Sequence, residues 1–136
     1  MTTQRHPRSR RGASTFELVL IVFFSMLIIM LGIDAGRLMQ LNGHLSDLSH
    51  ATARASAAIG TTENAETFFN ERATGPLSDA RMISASPGTC SSADDIVEVR
   101  AEMDTEFAFN LGFVWGGSMP TPTLRSSATS ACEIAR

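Results

Sequence analysis

The residue types able to do chemistry in this 136-residue chain are few and widely spaced. Its histidines are His6, His44 and His50, and the last two stand six apart, which puts them on different faces of a helix rather than side by side as metal ligands. Asp94-Asp95 has no calcium or magnesium ligand spacing around it and reads as a solvated turn. There is no phosphate-cradling glycine loop, nucleophile elbow or aromatic-basic nucleic-acid pattern, so no catalytic, cofactor or metal residues are expected. Two constellations remain. Cys90 and Cys132, 42 positions apart, suit a structural disulfide in an oxidising compartment, with two buried free thiols as the alternative. The second is the junction Arg10-Arg11-Gly12-Ala13-Ser14-Thr15-Phe16-Glu17, where a basic pair and a glycine precede an apolar run that carries one early carboxylate.

What positions that junction is the run itself. Residues 18–33, LVLIVFFSMLIIMLGI, are uncharged and as a helix reach roughly 24 Å, short of a hydrocarbon core of about 30 Å. Counted from Ala13 through Ile33 the span is roughly 31 Å, provided Glu17 lies near an interface or is paired. Arg5, Arg8, Arg10 and Arg11 precede the run without an acid, and the next basic residue is Arg37. The positive-inside rule therefore puts the N-terminus in the cytoplasm and the remaining hundred residues outside. The net charge of −3 divides accordingly: four arginines in the first twelve residues, then seven against all fourteen carboxylates. An acidic outer part would repel a phosphate backbone, so no nucleic-acid partner is expected.

Three readings fit this N-terminal region. One is a secretory signal peptide cut after Ile33-Asp34-Ala35, another a plain single-span anchor. The third takes the junction as a processing site: glycine has no Cβ and lets the backbone enter a protease in extended form. A new α-ammonium group would then need a carboxylate such as Glu17, in the same chain or a neighbour, at the bilayer edge.

Arg10-Arg11-Gly12, Phe16-Glu17-Leu18-Val19-Leu20, the apolar stretch to Ile33 and Asp34-Ala35-Gly36-Arg37-Leu38 before an Ala-rich helix together resemble the TadE-like family of pseudopilins of tight-adherence (Flp) pili, with a type IV prepilin-like processing site. The resemblance covers about residues 10–60, and unlike many relatives this chain has no proline inside the apolar stretch. It implies cleavage by a prepilin peptidase after Gly12, a mature chain starting at Ala13, and a minor pseudopilin or pilus-assembly protein of the bacterial inner membrane. Its implied partners are other pseudopilins or pilus subunits, the inner-membrane assembly machinery and the lipid bilayer, with no cofactor and no enzymatic activity. The alternative is a secreted or single-span envelope binding domain of unknown ligand.

Beyond Asp34, Leu38, Leu41, Leu45 and Leu48 recur at steps of three and four, and Ala51, Ala55, Ala57 and Ala58 continue a helix to Gly60. A helix over 13–59 is expected, with Gly43 as a weak point. Gly32 and Gly36 make a small-xxx-small pair for helix contact, and Asp34 and Arg37, three apart, can interact locally. Thr61-Thr62 with Glu63 and Glu66 suggests a second, hydroxyl-capped helix to Ala73, in which Phe68-Phe69 cover a small core. Residues 81–86 read as a strand, 86–89 as a turn, 96–103 as a half-buried strand, and Phe107, Phe109, Leu111 and Phe113 as another strand of period two. Leu124 to Ile134 reads as an edge strand or irregular tail. The expected organisation is a cleaved basic leader over 1–12, a transmembrane helix over 13–33, its extracytoplasmic extension over 34–60, and a small pilin-like α+β domain with an antiparallel sheet over 61–136.

Overall fold

A computed structural model describes residues 11–108, 117 and 121–133, with side chains from residue 15 onward. The fold is mixed α+β. Helix α1 (Arg11–Ile59) is followed by α2 (Ala65–Arg72), a 3-10 turn (Gly75–Leu77), and strands β1 (Ala80–Ser86), β2 (Ile96–Asp104) and β3 (Thr123–Ala131). The three strands form one antiparallel sheet in the order β1-β2-β3.

Helix α1 runs unbroken through Gly43 for 49 residues and stops at Gly60, whose φ of +79° is open to a residue without Cβ and whose amide donates to the Ser56 carbonyl at 2.9 Å. Only its outer half packs on the sheet. The buried stripe is Asp34, Leu41, Leu45, Leu48, Ser49, Thr52, Ala53, Ser56 and Ala57, with Leu38 half-buried, which extends the leucine spacing of the sequence in both directions. Buried hydroxyls are tolerated there because they bond within the helix: Ser49 Oγ donates to the Leu45 carbonyl at 2.8 Å and Thr52 Oγ1 to that of Leu48 at 2.9 Å.

The core has two parts. Leu41, Leu45 and Leu48 meet Phe69, Leu77, Ala80, Ala101 and Met103 at the end nearer the apolar segment. At the far end Ala53 and Ala57 meet Val97, Val99, Ala128 and Cys132. Strand β2 therefore runs back toward the apolar segment and ends beside it, while the 87–95 connection and the Cys90–Cys132 disulfide, with Cα atoms 6.1 Å apart, close the far end. The opposite sheet face is a charged ladder. Glu102 takes Arg81 at 2.7 Å and Arg125 at 3.6 Å, and Glu98 pairs with Arg100 at 2.7 Å. Exposed pairs of this kind contribute little each and keep that face wet.

Several expectations need correction. The strand expected over Phe107, Phe109, Leu111 and Phe113 is not found in its described part, since Phe107 and Ala108 lie in irregular chain and Phe109–Phe113 lie outside the described residues. Beside β2 lies β3, the edge-strand alternative read for the stretch from Leu124, which pairs from Ile96↔Ala131 to Asp104↔Thr123. Thr61 and Thr62 do not open α2, which starts at Ala65 with no side-chain cap. The Thr62 hydroxyl instead donates to the Pro87 carbonyl at 3.0 Å, and the Thr61 hydroxyl to that of Gly88 at 3.1 Å, tying the end of α1 to the turn after β1. Of the two phenylalanines only Phe69 enters the core, whereas Phe68 is half-buried under the Arg72 guanidinium, 3.7 Å from its ring centroid.

Candidate functional site: the apolar helix and its domain anchor

The apolar half of α1 has no cover from its own chain. Thirteen large apolar side chains between Phe16 and Ile33 are exposed, among them Leu18 at 62% and Ile28 at 69%, and the most apolar window has a mean hydropathy of 2.7 with none of it buried. Fully burying a side chain of this kind is worth about 1.5–3 kcal/mol, so leaving thirteen of them largely in water forgoes more than the net stability of about 5–15 kcal/mol that a domain has. The segment is long and apolar enough to cross a membrane.

Of the processing residues, Arg10 lies outside the described residues, and the backbone of Arg11, Gly12 and Ala13 forms the first turn of α1. Glu17 is exposed one turn further on. Gly32 and Gly36 are also exposed, and a Cβ built on either would meet nothing within 4 Å, so no contact of this fold requires a glycine there.

Asp34 and Arg37 are placed differently. Asp34 is the first residue after the apolar run and lies on the same stripe as the core leucines, four before Leu38 and seven before Leu41. It is 5% exposed, and its Oδ1 accepts the Ala108 amide at 3.0 Å. One turn on, Arg37 Nη1 donates a long 3.5 Å bond to the Glu106 carbonyl. Both residues thus hold the chain leaving β2, and the buried Thr105, whose amide donates to the Pro122 carbonyl at 3.0 Å, closes the same end. A partner 74 positions away is invisible to local pattern. The available signal was that Asp34 belongs to the leucine stripe, which makes it face the domain.

His44 and His50 are exposed, and among the described residues no group of three or more His, Cys, Asp or Glu side chains could hold a metal ion. A hollow of about 520 Å3 on the charged sheet face is lined by Ile83, Glu98, Arg100, Glu102 and Arg125. Another of about 430 Å3 beside Arg37 is lined by Leu41, Asp79, Met103, Asp104 and Glu106.

The 91–95 loop is the solvated turn read at Asp94-Asp95, and Asp95 organises it. Asp95 Oδ2 accepts the Ser91 amide at 2.6 Å, the Ser91 hydroxyl at 2.8 Å and the Ser92 amide at 2.9 Å. The Ser91 hydroxyl and amide, followed by the Ser92 amide, pull its pKa down from 3.8 to about 2. The cluster Cys90-Ser91-Ser92-Ala93-Asp94-Asp95 reads as turn chemistry, and here it fixes the loop that carries Cys90.

No family model, curated protein or solved structure matches the chain.

Proposed function

We propose that the chain is a single-pass membrane protein that holds a small extracytoplasmic domain rigidly on its one spanning helix. The observation that carries this is that α1 is a single helix serving two environments. Residues 15–33 expose large apolar side chains all round, whereas from Asp34 onward one face is the core of the domain. The arginine-rich start directs the N-terminus to the cytoplasm. On this reading the working role is binding or assembly at the envelope surface.

Within that reading the pseudopilin hypothesis is the finer one. It is favoured by the Gly12 junction at the head of the helix and Glu17 one turn on, in register with a long helix whose apolar half is free for other helices. On this view prepilin peptidase cuts after Gly12, for which the first helical turn must unwind, and helix-to-helix contacts with other pilus subunits follow. A signal-peptide cut after Ala35 fits poorly, because it would remove the Asp34 carboxylate that holds Ala108.

Intact mass of the protein from the membrane fraction tests all three readings. The full chain supports a plain anchor, and a start at Ala13 supports the pseudopilin route, with Gly12→Trp then expected to abolish processing. A start at Gly36 in a soluble fraction overturns the membrane reading.

A further inference from the structure

We propose that the outer domain touches the bilayer a second time, through the chain at Phe107 and Ala108, which rests in the zwitterionic headgroup layer beside the emerging helix. The inference rests on the single-span reading and adds a lipid-contact surface to it.

The height of that surface follows from Asp34. The sixteen uncharged residues before it reach roughly 24 Å, and the run counted from Ala13 roughly 31 Å, against a hydrocarbon core of about 30 Å, so on either count Asp34 lies at the edge of the hydrocarbon rather than clear of the headgroups. Side chains of a helix lean toward its N-terminus, which here is the membrane side, so the Asp34 carboxylate lies at or below the level of its own Cα. The Ala108 amide is 3.0 Å from that carboxylate, and Arg37, one turn higher, reaches the Glu106 carbonyl. The chain between these two bonds is thereby held at interfacial depth. Ala108 is exposed and Phe107 half-buried, so the apolar ring and methyl are available to the interface rather than consumed by the core.

Charge selects the lipid class. At this end Arg37 and Arg81, the latter 3.5 Å from Asp104 and 2.7 Å from Glu102, stand among Asp34, Asp79, Glu102, Asp104 and Glu106, an excess of acid that anionic headgroups would repel. Phe107 and Ala108 are themselves uncharged and apolar, so nothing in their side chains opposes contact with a zwitterionic interface.

The test uses the full chain in phosphatidylcholine vesicles, with the single natural indole removed by Trp115→Phe and a probe placed by Phe107→Trp. Ala108→Trp serves as a second probe, since its backbone bond to Asp34 is kept, and Ile96→Trp at the far end of the sheet is the control. The expected result is co-flotation with the vesicles and loss of at least half of the emission of either interfacial probe when the lipid is brominated near its headgroup, with the control unaffected. Adding anionic lipid should not increase the loss. If the protein floats but neither probe is quenched, the contact does not exist while the span stands. A blue-shifted, unquenched emission also overturns it and assigns the surface to protein. If the protein does not float, the single-span reading falls, and this inference with it.

Discussion

Asp34 and Asp95 show how differently two carboxylates of one chain are used. Asp34 ends an apolar run and accepts an amide from 74 residues away, which joins the apolar segment to the folded domain at its base. Asp95 organises a surface loop by accepting several short bonds from Ser91 and Ser92, and those bonds favour its ionised form. Its folded pKa is lower than its unfolded value, so its contribution is complete above pH 3.8 and is lost as pH falls through about 2. Thermal melts over that range should therefore show a steeper acid loss for the native protein than for Asp95→Asn, which has no proton to gain there. Parallel pH profiles would remove Asp95 from the acid response. The effect is modest because the group is open to solvent.

Among the elements, α1 divides sharply by what surrounds it. Leu45 is fully buried between α2 and the sheet, whereas Leu31 is 53% exposed on the apolar segment. Leu45→Ala should destabilise the outer domain by about 2–5 kcal/mol through lost contacts and a cavity. Leu31→Ala should leave the domain's unfolding midpoint unchanged. Chemical denaturation in detergent, followed by amide exchange in β2, separates the two, and equal effects would mean that the halves of the helix are not energetically distinct. The sheet explains what was legible locally. Strand β2 alternates Val97, Val99, Ala101 and Met103 inward with Glu98, Arg100 and Glu102 outward, so its period is plain in the sequence. Strand β3 turns Leu124, Ser126, Ala128 and Ser130 inward, and three of these four are small or polar, so the contrast between its faces is faint. The sequence therefore reads there as either an edge strand or an irregular tail. Small residues suit β3 because the helix face opposite is small as well, with Ala53 and Ala57 packed on Ala128.

For the molecule as a whole, stability depends on a domain with two small core clusters, pinned at opposite ends. The near end is held by Asp34 and Arg37, the far end by the Cys90–Cys132 disulfide together with the Cys90 amide bonded to the Gly60 carbonyl at 2.9 Å and the Cys132 amide to that of Asp95 at 2.9 Å. Opening a loop of 42 residues with Cys90→Ser/Cys132→Ser should lower domain stability by ~4 kcal/mol on the chain-entropy relation, read as a shift in denaturation midpoint. An unchanged midpoint would show that the hydrogen bonds around the bridge suffice. The apolar run, the arginine asymmetry, the extent of α1 and the alternation of β2 were fixed by the order of residue types alone, because each is a periodicity or a charge count within one stretch of chain. Only the tertiary structure decided that Asp34 belongs to the folded domain, that Thr123–Ala131 is an edge strand rather than an irregular tail, and that Thr62 ties two turns instead of capping a helix. Each of those depends on a partner between 19 and 74 positions away, and a hydrogen bond or strand pairing at that separation leaves no mark on the local pattern.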